Sequence, residues 1–288
     1  MGEEGGVPVQ VTAAFSIQHS IDNGIERVVY TPRHRRFETP ILMQHGMWHG
    51  AWCWQHWQEL FASWGWESHA ISLPGHAGSP ALRPVYFCTL GYYLRFLKTE
   101  VERLLPRKPV LMGHSMGGAL TQWYLKYVGD DLPAAVLVAP WDLRGTFADG
   151  AILRWLRLDP VGMVLVALSG SAGVFIRTPQ HAARKLISSR ALYTPEELHA
   201  RLGPESFWVM LQHNPPWWRP PRRCKTPLLW VAGELDTVIA LEAERRSAEY
   251  CQADWVAVPQ AGHNLMMEHN YRETAETIHN WLTRRGIK

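Results

Sequence analysis

Cysteine is scarce in this chain. Its four residues among 288, Cys53, Cys88, Cys224 and Cys251, stand too far apart to form any C-x-x-C pair. That spacing argues against a structural zinc site and asks for no disulfide framework. Charge of one sign is missing as well: the net charge is +3, so nothing in the composition implies a nucleic-acid partner. No Asn-x-Ser/Thr sequon occurs. The opening MGEEGG has neither the basic nor the apolar region of a secretory signal, and Met-Gly lacks the Ser/Thr at the sixth position that myristoylation needs. These gaps set the expectation of a cytoplasmic protein with reduced thiols. Long apolar runs are also lacking. The uncharged stretch 161–176, VGMVLVALSGSAGVFI, is interrupted by Gly162, Gly170 and Gly173 and falls short of the about 20 apolar residues a membrane span requires. It reads as a buried or lid helix.

What is present is a globular composition, 47% hydrophobic and 19% charged, with short β-type runs alternating with helical patterns, as in an α/β fold. Residues 7–18 and 27–32 read as opening strands, 40–44 as a short buried strand, and 67–75 as a strand and turn. Further strands are expected at 109–113, 134–140, 227–233 and 254–259. Trp54, Trp57, Phe61 and Trp64 recur at helical spacing, with Gly65 placed for a helix-ending cap. Helices follow at 89–105, 116–128, 240–251 and 269–284. Between 141 and 222 the alternation stops, and the chain reads as helical, aromatic and irregular. The core, 1–140 and 223–288, is thus expected to be interrupted by an insertion of about 80 residues. Residues 141–225 hold twelve Lys/Arg against six Asp/Glu, a balance of +6 that leaves −3 for the rest. Such a basic segment either attracts anionic substrates or anionic lipid, or is an ordinary solvated surface.

The sharpest chemical signal is MGHSMGG at 112–118, which follows a strand and precedes a helix. It fits G-x-S-x-G as Gly113-His114-Ser115-Met116-Gly117. A serine on a sharp strand-to-helix turn is lifted clear only if the neighbours two residues either side are small. The helix dipole and the Met116 N–H then favour an oxyanion. Serine needs a base, and the base needs an acid. Asp236 ends one downstream strand in GELD, and His263 ends the last one in AGHNLMME. The order Ser…Asp…His is that of one triad family. Asp142 is the main rival acid and Glu234 a weaker one, while Glu268 is expected to cap the last helix or contact the His263 loop. The stretch MQHGMWHGAWCWQHW (43–57), with four tryptophans and three histidines, divides into a loop around His45-Gly46-Met47 and an aromatic-rich helix start.

Together the strand-HG loop, LPGHAGS, GHSMGG, GELD and AGHNLMME resemble the α/β-hydrolase superfamily over about 20–284, the insertion matching only in location. The resemblance implies an eight-stranded, mostly parallel sheet flanked by helices, with a helical cap inserted after the sixth strand. It implies Ser115 as nucleophile, Asp236 as acid, His263 as base, and Met47 as second oxyanion N–H donor beside Met116. The segment SLPGHAGS departs from the commoner form, with Ser72 where Asp is usual and Ala77 where Gly is usual. A serine at the nucleophile position separates the chain from epoxide hydrolases and haloalkane dehalogenases. The HGMWHGAWCW loop is similar to that of plant methylesterases and hydroxynitrile lyases, although the lysine such a lyase needs near the base is absent from the Asp236 and His263 loops. The cap and GHSMGG look like those of bacterial esterases, lysophospholipases and monoacylglycerol lipases.

The expected reaction is acyl transfer from a small-molecule ester to water, with no metal and no organic cofactor. Met47, Trp48, His114, Met116, Trp141, Trp155, Val164, Leu165, Phe175, Trp208, Leu211 and Met266 are the candidate pocket side chains, each of which could equally be core. Their apolar character favours a hydrophobic or aromatic group over a sugar. The same triad also serves thioester, amide, lactone or carbon–carbon cleavage and perhydrolysis, and the fold also serves non-catalytic small-molecule receptors. The expected partners are the ester and water, with no nucleic acid, no integral span, and transient lipid-surface contact open to the basic cap; the sequence assigns no oligomeric state.

Overall fold

The computed structural model describes residues 9–148, 150–221 and 223–288. The opening MGEEGG and residues 7 and 8 of the first expected strand lie outside them, as do Asp149 and Arg222. Strands β1 (Val9–Val11), β2 (Phe15–Asp22), β3 (Ile25–Pro32), β4 (Ile41–Gln44), β5 (Ser68–Ser72), β6 (Val110–His114), β7 (Ala135–Val138), β8 (Leu228–Gly233) and β9 (Asp254–Val258) form one sheet. Their order is β1-β2-β3-β5-β4-β6-β7-β8-β9. The first three strands pair antiparallel, as do β3 and β5, and the rest are parallel. The strand count is therefore nine among the described residues rather than eight. The excess arises at 12–14, where the Thr12 hydroxyl accepts the Ala14 and Phe15 amides. That turn folds the expected 7–18 strand into an antiparallel pair, with Val9 opposite Gln18. The helical segment accordingly follows the seventh strand in chain order, not the sixth.

The strands β4, β6, β7 and β8 are buried at every residue, the signature of parallel strands covered on both faces. Helices α1 (Gln55–Ser63), α2 (Leu90–Arg103), α3 (Met116–Tyr127), α9 (Leu241–Tyr250) and α10 (Tyr271–Arg284) flank the sheet. Gly65, at φ +99, ends α1. Its amide bonds Ala62 O and the Trp66 amide bonds Phe61 O, the pair of bonds that closes a helix through a left-handed glycine. Trp54, Trp57 and Phe61 lie wholly inside, while Trp64 is half-buried.

Between β7 and β8 run five short helices, α4 (Ala151–Leu158), α5 (Pro160–Ser169), α6 (Pro179–Leu186), α7 (Pro195–His199) and α8 (Trp208–Gln212). Three of them begin on the same signal. Asp159, Thr178 and Thr194 each accept a first-turn amide, and each is followed by proline, a pairing that fixes a helix start. The apolar run 161–176 is cut at Gly170, whose φ of +67 ends α5. No helix among the described residues is long and apolar enough to cross a membrane.

Candidate functional site

The strand order reverses at β4, whose parallel neighbours are β5 on one side and β6 on the other. In an open parallel sheet the crevice forms at the carboxyl ends of strands at such a switch point. Here β4 runs into His45-Gly46-Met47 and β6 into Ser115. Ser115 takes φ +52, ψ −115, a sterically costly conformation for a residue with a Cβ. Its amide bonds Val138 O on β7 at 3.0 Å and its carbonyl accepts Ala119 N in α3. The flanking glycines have no room for side chains. A Cβ on Gly113 would meet Gly117 O at 2.3 Å, and one on Gly117 would meet Gln44 O at 2.2 Å. The G-x-S-x-G spacing is thus a record of backbone touching backbone where β6, α3 and the end of β4 converge. A Cβ on Gly46 would lie 2.8 Å from the Ser115 Cβ, so the loop after β4 passes directly over the serine.

His263 Nδ1 donates to Asp236 Oδ2 at 2.6 Å, with the two side chains 2% and 0% exposed. The other Asp236 oxygen accepts the Val238 and Ile239 amides at 2.7 and 3.0 Å. These bonds fix the direction of the carboxylate. The rival acid Asp142 is turned elsewhere: Oδ1 accepts the Ser247 hydroxyl and the Arg144 amide. Glu234 is exposed. Glu268 takes the second of its two expected roles, accepting the Gly262 and Ser188 amides and the Ser188 hydroxyl. Among the described residues no hydrogen bond joins Ser115 Oγ to His263, a contact that often tightens only when substrate binds.

The histidines of the 43–57 stretch are braces. Leu73 N donates to His45 Nε2, so His45 Nδ1 carries the proton it gives to Gly46 O at 2.7 Å. His49 Nδ1 lies 2.6 Å from Met47 O and its Nε2 lies 3.0 Å from Asn264 Nδ2. His114 Nε2 donates to His263 O at 3.2 Å. Burial pushes His45 and His114 well below the ordinary imidazole range, and His49 down to about 4. The chain Met47–His49–Asn264 therefore ties the loop over Ser115 to the loop that carries His263. Among the described residues, neither the Met47 nor the Met116 amide donates a hydrogen bond. Asn264, His49 and Ser188 were given no role from the sequence; the local signal was the neighbour relation of His263 and Asn264.

The helical segment rests on these same loops. Gly203 N donates to Trp48 O at 2.8 Å, Leu192 N to Met267 O at 2.8 Å and Asn264 N to Leu186 O at 2.8 Å. Trp48, at φ +66, is buried beneath that contact. A narrow cleft of about 30 Å³ lies beside the Asp236 loop, lined by Trp141, Asp142, Trp155, Met210, Val238 and Ile239 among others. Phe175 backs Trp155 with ring centroids 4.6 Å apart. Neither Ser115 nor His263 lines this cleft. Of the other expected pocket residues, Leu165 and Trp208 sit at the surface, because α5 turns Gly162 and Val166 inward and α8 turns Val209 and Met210 inward. Val164 is exposed as well. Leu211 is half-buried, and Met266 and His114 are wholly buried. The sequence could not separate Val164, Leu165, Trp208 and Leu211 from their inward-facing neighbours, since α5 and α8 are short and apolar on several sides.

Comparison with known proteins agrees with this architecture. A stretch of 100 residues is 33% identical to norfluorocurarine synthase 1 of a Strychnos species, covering 34% of this chain and 37% of that protein's length. The structure of Paleococcus ferrophilus monoacylglycerol lipase superposes with a TM-score of 0.65 at 20% identity, over 91% of this chain and 99% of that one. A malate-bound thermophilic esterase from Thermogutta terrifontis gives 0.62 at 18%, over 97% of each. At such identities these two structures speak for the fold alone. Residues 41–277 match the alpha/beta hydrolase family over most of the chain's length, and the chain belongs to that family.

Proposed function

We propose that the protein is a serine hydrolase that cleaves carboxylic esters bearing a hydrophobic or aromatic group, through an acyl-enzyme on Ser115. The observation that carries this reading is the buried Asp236–His263 bond of 2.6 Å at the same sheet edge as a serine held at positive φ. His263 Nε2 takes the Ser115 Oγ proton as the oxygen attacks the ester carbonyl. The uncommitted Met47 and Met116 amides receive the oxyanion, each worth about 3 kcal/mol of barrier. Asp236 fixes the Nδ1–H tautomer and stabilises the imidazolium. His263 then protonates the leaving alcohol, and water repeats the cycle on the acyl-enzyme. The segment 141–222 acts as a lid, and its movement opens room for the substrate's apolar group, since the cleft lined by Trp141 and Trp155 is too small to hold one.

A fluorophosphonate probe should label the folded protein once, at Ser115, and Ser115→Ala should remain unlabelled. On a p-nitrophenyl ester panel from acetate to long acyl chains plus one aryl ester, Ser115→Ala should lower kcat by about 10,000-fold or more. Folded protein that takes no label and cleaves none of these esters would overturn the reading. The relative whose name describes a synthase favours a second one, in which the same side chains act on a carbon–carbon bond. That reading predicts labelling at Ser115 without turnover of the ester panel.

A further inference from the structure

The helices α4 and α5 leave an apolar surface uncovered. Ile152, Leu153, Leu156, Val161, Val164 and Leu168 are 42–81% exposed. The inward sides of the two helices are already occupied by Ala151, Trp155, Gly162 and Val166, so rotation would gain nothing. Aliphatic residues exposed at this density on consecutive helices mark a contact surface rather than ordinary scatter.

The charges indicate what covers it. Within 150–170 the sole acid is Asp159, which is 2% exposed and bonded to Arg177 and Lys185. Arg154 and Arg157 are the only basic residues of the stretch; Arg157 is exposed and makes no ion pair among the described residues. The hairpin thus presents aliphatic side chains and arginine with no exposed carboxylate. Helices of eight and ten residues extend about 12 and 15 Å, half of what a span requires, but enough to lie in the headgroup region. A second copy of the chain is a poor fit, because a two-fold contact between hairpins would bring arginines together with no exposed carboxylate to pair them.

We infer that the α4–α5 hairpin is a docking surface for an anionic phospholipid bilayer, with the aliphatic side chains entering the interface and Arg157 meeting lipid phosphate. This assigns a role to the exposed aliphatic side chains, with Arg157 as the basic group among them.

Co-sedimentation of the full chain with sucrose-loaded vesicles tests it. The wild type should pellet with phosphatidylcholine–phosphatidylglycerol vesicles, and more weakly with phosphatidylcholine alone. Val161→Glu/Leu168→Glu should lower partitioning by about tenfold or more, with far-UV circular dichroism unchanged. Arg157→Glu should remove only the increment due to phosphatidylglycerol, and Ile21→Glu, on the opposite edge of the sheet order, should change nothing. Wild type remaining in the supernatant with both vesicles, or the double variant pelleting like wild type, would overturn the proposal. So would a concentration-dependent dimer, dissolved by the double variant, in a protein that binds no vesicle. Binding is read without turnover, so failure here is separate from failure of the ester reading.

Discussion

At the scale of the residue, one type of side chain does two opposite jobs. His263 is held by a carboxylate, and among the described residues its Nε2 makes no hydrogen bond, as the proposed base requires. His45 and His49 spend both ring nitrogens on the loop over Ser115 and on its neighbours. His213 does the same elsewhere, taking the Trp123 indole N–H and giving its own proton to Asp142 O. Burial drives His49 down to about 4 and His213 to about 3. A histidine kept neutral inside binds fewer protons than the unfolded chain below pH 6.5, so folding loses stability as pH falls from about 6.5 towards 4. For His49 alone the loss is about 3 kcal/mol. Urea midpoints measured between pH 7 and pH 4 should fall steeply, and His49→Gln should flatten the slope. A midpoint independent of pH in wild type would show that these rings are protonated or exposed in the folded state.

At the scale of the element, the signals that could be read locally were those that sterics writes into neighbouring residues. Gly113 is demanded by its contact with Gly117 and Gly65 by its own backbone angle, so their places stood out in the sequence, whereas the demand on Gly117 comes from Gln44, far along the chain. The strand ends carrying Asp236 and His263 were legible for the same reason. By contrast, His49 and Asn264 meet across 215 positions, and no local pattern announces such a bond. Ala77 is an intermediate case: it stands where the commoner form has glycine, and it adopts φ +45. The contact between the 73–79 loop and the helical segment was also invisible. There His76 Nε2 meets Glu205 Oε2 at 3.0 Å, the Tyr93 hydroxyl donates to Glu205 Oε1 at 3.1 Å, and all three side chains are wholly buried. Glu205→Ala would leave three polar groups unpaired inside, the Ser206 amide included, at a cost of about 3 kcal/mol or more. Chemical denaturation should show that loss. A variant as stable as wild type would mean that water or a rearranged partner replaces the carboxylate.

At the scale of the molecule, the helical segment and the loops around Ser115 and His263 are joined by backbone bonds and by the side chains of Glu205 and Glu268 rather than by a shared sheet. Gly203 N–H to Trp48 O, Leu192 N–H to Met267 O and Asn264 N–H to Leu186 O all cross that boundary. The parallel strands beneath are bonded on both sides. If the segment opens as a lid, the three crossing amides share one event and should exchange with deuterium at a common opening free energy. That free energy should lie below that of the β6 and β7 amides, because opening breaks the crossing bonds without unpairing the sheet. Hydrogen exchange followed at single residues distinguishes this from the alternative. If Leu192, Gly203 and Asn264 exchange only with the sheet, the segment is an integral part of the fold. Access to Ser115 would then depend on side-chain or loop motion, because the helices above it stay in place.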